Sequence, residues 1–554
     1  MSLRRRAFGA TELSLCFILV LAFAAFATRL LPLAISSFPY NNDSLVETGI
    51  SNDIIQKQRI DLIDGSESVT HSTATPAFNV MMAYASSILG ATPLECAQVL
   101  TASVSVLTVC AIFLLTRVIA DSKTAGLAAG LSSIMMGTFV FTTGSVWKET
   151  LGIGLLMLMY LLFVYRNERR FRAVLFVTLL LLPLVHHLVS AIALLSIIFM
   201  VAWRLYSGLR NRHVSSGHVL DIFTAAIPLV FMGLYYHEMR LDRVDLISTP
   251  VAIGLLCAVV FLICLAEIGL LSLRNHLKWT FSPLVGGAFI TLLVLDYYGY
   301  FLPYSSSASS WYVLFILAVG ILVAFGWYGA EIVLEKRQQF KAVQLGLILP
   351  TFTVIGFGLS QGLTLMSQQI LYRTFDFADA FFFVGIGVGL SFLRQKNRRT
   401  YLVSGIALVI SLAITFPFAY SSGDLLGVRH DTQAYEVDGL EWSHEHAPSL
   451  KIVSDERLGY ISQALFGTVK DGALPTYLHR NSTIAPEWGC VAEYSWTTQG
   501  SNNYPFGKIV IGSTNYSWAC STSDVRYIGG PSDNQLVIFT GSDIGVSSDM
   551  LQRS

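Results

Sequence analysis

The chain has 554 residues, 53% hydrophobic and only 13% charged, with a net charge of zero and a mean hydropathy of +0.59. Soluble domains carry about 25% charged residues, so the composition excludes an ordinary water-soluble globule and points to a polytopic membrane protein. The balanced charge also argues against nucleic acid as a partner.

An apolar run of about 20 residues crosses the hydrocarbon as a helix. The first run, 13–35, follows Arg4-Arg5-Arg6 and is too long for a cleaved signal, so it reads as a retained signal anchor. Further runs lie at 98–116, 124–143, 150–165, 173–185, 188–203, 219–236, 251–271, 281–298, 311–330, 342–365, 377–393 and 400–418. Alternating the connections gives inside segments at 1–12, 117–123, 166–172, 204–218, 272–278, 331–341 and 394–399, which hold 21 of the 28 Lys/Arg of residues 1–419. Outside lie six: Lys57, Arg59, Lys148, Arg240, Arg243 and Arg373, while Arg29 sits within the first run. Such asymmetry predicts an odd number of spans in the cell membrane, a cytoplasmic N-terminus and an extracytoplasmic C-terminus.

The expected architecture is an α-helical polytopic membrane body of about thirteen transmembrane helices over 1–419, with a long external loop at 36–97. A small extracytoplasmic α/β domain follows at 420–554, where 8 Lys/Arg face 15 Asp/Glu, a net of −7 against +7 for the rest. Within it, Leu440–His446 reads as helix, and Lys451–Ser454, Lys508–Ile511 and Gln535–Phe539 read as strands. Cys490 and Cys520 are its only cysteines, and an oxidising compartment would permit a disulfide between them. The sequons at Asn42, Asn481 and Asn515 all fall in outside segments.

Four places could carry chemistry. Asp43 follows the aromatic-Pro turn Phe38-Pro39-Tyr40 just beyond the first span, where a carboxylate can take a proton, bind a divalent ion, or cap the next helix. Glu149 opens the fourth span, placed either to cap it or to face the same pocket as Asp43. His186-His187 falls between two apolar runs, where an imidazole either faces a cavity or is satisfied by a carbonyl. Arg373 is the sole base of its outside loop; its planar fork suits a lipid phosphate, and the bland alternative is an ion pair with Asp376 or Asp379. No P-loop, GxSxG or HExxH motif occurs, so chemistry falls to the outer face and to a substrate that arrives already activated.

These features resemble the GT-C class of integral-membrane glycosyltransferases, which includes protein O-mannosyltransferases, lipid A aminoarabinose transferases and the catalytic subunits of oligosaccharyltransferases. The resemblance covers roughly 10–200, and less clearly 340–395. It rests on Asp43, the long loop leading into Thr75-Pro76-Ala77-Phe78-Asn79, the amphipathic stretch to Leu89, and Glu149 preceded by Lys148. The C-terminal segment, with Leu440-Glu441-Trp442, resembles tails of archaeal membrane proteins of this type.

The resemblance implies a donor sugar on a polyprenyl phosphate, an acceptor glycan, lipid or protein, and transfer at the outer face of the bilayer. Asp43 would be the base, Glu149 the second acidic residue, and Arg373, His186, His187 and Lys148 the groups that hold the donor phosphate. A divalent cation (Mg or Mn), if one is used, would sit on Asp43 and Glu149. The WWDYG signature of oligosaccharyltransferases is absent, which weighs against transfer of whole glycans to Asn. Two other readings stand beside this one: a transporter or flippase for a lipid-linked or polar solute, and a non-catalytic membrane scaffold. Acids gathered at the outer interface, with Glu267 the only acid well inside a span, favour the transferase over transport.

Overall fold

The computed structural model describes residues 12–41, 43–60, 74–239, 311–360 and 365–420, short helical pieces between 283 and 294, and most of 430–540. Its helices are α1 (Glu12–Leu30), α2 (Asp43–Lys57), α3 (Ala77–Leu89), α4 (Pro93–Ala120), α5 (Lys123–Met135), α6 (Gly137–Gly144) and α7 (Lys148–Val164). There follow α8 (Arg169–Val185), α9 (His187–Arg210), α10 (Ser216–Glu238), α11 (Trp311–Lys336), α12 (Lys341–Ser360), α13 (Leu365–Lys396) and α14 (Arg398–Thr415).

Seven helices among the described residues are long and apolar enough to cross a membrane, or eight if the bent pair α5–α6 forms one span. The expected runs at 150–165, 173–185 and 342–365 coincide with α7, α8 and α12. The expected span at 251–271, with Glu267, lies outside the described residues, as do Arg240 and Arg243, and the one at 281–298 is described only in part. The expected run 124–143 is not one straight helix: it turns by 71° at Met136. The break frees carbonyls of the last turn of α5, which inside a bilayer must find donors. Arg29 donates to Ser133 O at 2.9 Å and Thr415 Oγ1 donates to Met135 O at 3.5 Å.

The protein divides into two compact units. The first takes Met1–Leu31, Ile50–Leu295 and Ser310–Tyr420. The second joins Pro32–Gly49 to the C-terminal segment from Ser421, so the beginning of the expected external loop belongs with the C-terminal part rather than with the helical body. Within it, Ser36 Oγ donates to Thr432 O, and Asn41 N donates to His430 O at 3.2 Å.

The C-terminal part contains α15 (Ala434–His446), β1 (Lys451–Val453), α16 (Glu456–Phe466), α17 (Leu474–His479), β2 (Trp488–Glu493), β3 (Ser501–Asn503), β4 (Gly507–Ile509), α18 (Ser513–Thr522), β5 (Asp524–Gly529) and β6 (Leu536–Thr540). Four strands form a sheet in the order β1-β2-β6-β5, with β1–β2 parallel and the other pairs antiparallel; β3 and β4 make a separate hairpin. The helix and strands expected at 440–446, 451–454 and 535–539 fall on α15, β1 and β6, while 508–511 falls on the hairpin strand β4. Cys490 and Cys520 are both free thiols, so the permitted disulfide is not formed. Cys490 is locked in the middle of β2 opposite Phe539, whereas Cys520 lies on α18 and bonds Tyr516. Burial pushes the Cys490 thiol up to about 12, with Asp471 adding to the effect. It is therefore expected to resist alkylation at pH 8 in folded protein and to react only on unfolding, as mass spectrometry of labelled protein would show.

In the helical body, α11 and α13 approach closely enough that a methyl group on Gly329 would collide with the carbonyl of Gly385, and one on Gly385 with that of Gly326. Backbone cannot retreat as a side-chain tip can, so Gly329→Ala or Gly385→Ala is expected to lower stability by about 1–3 kcal/mol. Gly405 on α14 has nothing within 4 Å of its virtual Cβ, and Gly405→Ala serves as the neutral control in thermal unfolding.

Candidate active site

The turn Thr142–Thr150 carries Glu149 and is pinned by its own polar groups. The Trp147 indole N–H donates to Thr142 O at 2.7 Å, and the Thr150 hydroxyl lies 2.8 Å from Ser145 O and 3.1 Å from Thr142 O. From outside the turn, Arg29 donates to Thr143 Oγ1 at 2.9 Å and Gln98 Nε2 donates to Gly144 O at 2.8 Å. Glu149 thus stands in the first turn of α7, where the helix dipole favours a carboxylate.

Dipole alone does not offset burial at 3% exposure. Two other helices supply the partners. Arg373 Nη1 of α13 lies 3.2 Å from Glu149 Oε1, and His186 Nε2 lies 3.3 Å from the same oxygen. His186 is the single extended residue between α8 and α9, just beyond Pro183, and its Nδ1 accepts the Val189 N–H at 3.5 Å. That bond leaves the imidazole proton on Nε2, the ring nitrogen nearer Glu149. His187 stacks on His186 with ring centroids 4.6 Å apart. Lys148, also buried, donates to Thr75 Oγ1 at 3.2 Å and lies near enough to His186 to act on it electrostatically. Glu149, His186, His187, Lys148 and Arg373 are therefore brought together.

The first unit adds residues that the sequence named only as possible partners. Asp376 and Asp379 are buried on α13, with Asp376 bonded to Thr142 and Asp379 accepting from Thr138 Oγ1 at 3.1 Å. Arg373 pairs with Glu149 across the bundle. The i, i+3, i+6 spacing of Arg373, Asp376 and Asp379 already put them on one helix face.

Among the described residues no group of three or more His, Cys, Asp or Glu side chains is disposed to hold a metal ion. Glu149 is met by a guanidinium and an imidazole N–H, which are donors that a bound cation would have to displace. These residues do not fit the divalent cation, and no step is derived through one.

Asp43 belongs to the second unit. It opens α2, and its backbone N–H donates to Asn41 Oδ1 at 3.1 Å. Asn41 adopts φ 90°, a left-handed conformation that asparagine tolerates, and so turns the chain back onto His430. His430 is partly buried, and desolvation lowers its pKa from 6.5 to about 4 against the opposing pull of Asp431. Nearby in sequence, Arg457 is 2% exposed and pairs with Glu436 at 2.8 Å and Glu493 at 3.1 Å; those carboxylates hold it well above its ordinary pKa in spite of burial.

No family model matches the sequence, and no curated protein matches it. Among solved structures, the oligosaccharyltransferase of Archaeoglobus fulgidus in the apo form matches with a TM-score of 0.53 at 13% identity, covering 98% of this chain and 76% of that one. The oligosaccharyltransferase AglB of the same organism, in complex with an inhibitory peptide and a dolichol-phosphate, matches with a TM-score of 0.51 at 14% identity, covering 97% and 75%. The chain has the fold of these archaeal oligosaccharyltransferases. ArnT from Cupriavidus metallidurans, bound to undecaprenyl phosphate, aligns over 97% of this chain and 99% of its own at 12% identity, with a TM-score of 0.38.

Two outcomes check the electrostatics of the helical body and of the C-terminal unit. Glu149→Ala leaves His186 and Arg373 without their shared carboxylate, and is expected to cost about 3 kcal/mol in thermal unfolding; a wild-type midpoint would show that the pairing adds nothing. His430 stays neutral in the fold while the unfolded chain takes a proton below 6.5, so its contribution is intact above pH 6.5 and declines as pH falls toward 4. His430→Asn is expected to flatten that stretch of the full-length protein's stability curve by about 3 kcal/mol.

Proposed function

We propose that this protein is a membrane glycosyltransferase that moves a sugar from a polyprenyl-phosphate donor to a hydroxyl-bearing acceptor at the outer face of the membrane. The observation that carries this reading is the Arg373–Glu149–His186 constellation, in which a guanidinium is fixed at one corner by a buried carboxylate. The Arg373 side chain is still 36% exposed, so the fork remains reachable from outside the protein core. Planar, bidentate donors of this kind match phosphate oxygens.

In the proposed reaction the acceptor hydroxyl oxygen attacks the anomeric carbon as the bond from that carbon to the phosphate oxygen breaks. Polyprenyl phosphate departs with the electron pair, and Arg373 stabilises the charge that develops on it. The family resemblance assigns the hydroxyl proton to Asp43. A single displacement inverts the anomeric configuration. Glu149 positions Arg373 and His186; His187 and Lys148 add positive or donor character beside them. The proposal places the C-terminal domain and the catalytic face outside the cell membrane, as the arginine and lysine distribution supports.

Purified full-length protein supplied with radiolabelled polyprenyl-phosphate sugars and membrane-extracted acceptors should yield an inverted product. Arg373→Ala is expected to slow transfer about a hundredfold with folded protein retained, and Asp43→Asn to abolish it. Transfer unchanged in both variants would remove the assigned roles, and no transfer from any donor would remove the function.

A further inference from the structure

A second charged cluster lies about 25 Å from Glu149, just past the far end of the same helix α7. Asp221, in the second turn of α10, is 2% exposed and is the focus of three arginines. Arg166 Nε lies 3.5 Å from Asp221 Oδ2, Arg172 Nη2 lies 3.3 Å from Oδ1, and Arg204 Nη1 contacts Oδ2. The arginines are tied to the backbone as well: Arg166 donates to Phe163 O at 2.6 Å and covers the Phe163 ring, and Arg172 Nε donates to Arg166 O at 2.9 Å.

One carboxylate cannot balance three guanidiniums. Among the described residues no second acid pairs with them, so two positive charges are held together in a mostly buried place. Like charges packed this way repel, and desolvation adds to the cost. The Arg172 Nη1 group is buried and makes no hydrogen bond. An anion with several oxygens would offset both deficits.

The neighbouring surface says what carries that anion. On the same two helices, α8 and α10, Val174, Val177, Val219, Leu220 and Phe223 are 48–56% exposed. A cationic cluster carried on helices with exposed apolar side chains fits an amphiphile whose chains lie on those helices. We propose that Arg166, Arg172 and Arg204 form a phosphate-binding site, separate from the candidate active site, that takes the headgroup phosphate of an anionic lipid.

The test uses purified full-length protein in neutral detergent and follows its thermal midpoint as phosphatidylglycerol, phosphatidylcholine or inorganic phosphate is added at matched ionic strength. Phosphatidylglycerol should stabilise saturably and the other two should not. Arg172→Gln should need about tenfold more phosphatidylglycerol for half of the effect. Arg170→Gln removes the same charge from an exposed side chain that pairs with Glu168, and should behave as wild type. Asp221→Asn deepens the charge deficit, so its stability should depend more steeply on phosphatidylglycerol.

Equal losses in Arg170→Gln and Arg172→Gln would reduce the effect to general surface attraction and overturn the site. Stabilisation by inorganic phosphate equal to that by phosphatidylglycerol would overturn the lipid assignment. An Asp221→Asn protein that phosphatidylglycerol does not restore would mark the cluster as an ion-pair scaffold. Should Arg172→Gln fail to fold, the lipid retained by wild type, counted by native mass spectrometry, decides: none retained overturns the proposal.

Discussion

A carboxylate buried to 3% exposure must be met by donors, and for Glu149 those donors come from two other places in the chain. The first turn of α7, the one-residue break at His186 and the early part of α13 are therefore held to a common point. Each partner costs more unpaired than paired, which makes the arrangement strongly determined. The same requirement gives the site its chemical character, because a guanidinium held at one corner is preorganised for an oxyanion.

Holding that point requires that the preceding turn not move. The bend at Met136 opens the α5–α6 pair and exposes carbonyls where no water is at hand. Arg29 answers this from the first span, with neutral acceptors at Thr28, Ser133 and Thr143, and Gln98 ties its carbonyl to that of Gly144. An arginine that looks misplaced in an apolar run is thus a brace for the turn that presents Glu149.

Helix α7 carries charge at both ends and little between them. At its start a carboxylate draws in cations; beyond its end three arginines converge on Asp221. The former balance is nearly closed by the protein itself, while the latter leaves a surplus of positive charge. A bilayer supplies the missing anion at an interface far more readily than bulk solvent does.

The helical membrane body and the strands at 451–454 and 535–539 were legible in the sequence, because hydropathy and period depend only on neighbours along the chain. Glu149, His186, His187, Lys148 and Arg373 could each be singled out as polar groups in apolar surroundings, yet each had a local explanation of equal standing. Only the tertiary structure decided that Arg373 reaches Glu149, that the run 124–143 breaks at Met136, that Pro32–Gly49 joins the C-terminal unit, and that Cys490 stays unpaired in β2. The physical reason is the same in all four. Which distant groups meet depends on how helices and strands pack, and composition along the chain carries no record of that until the chain has folded.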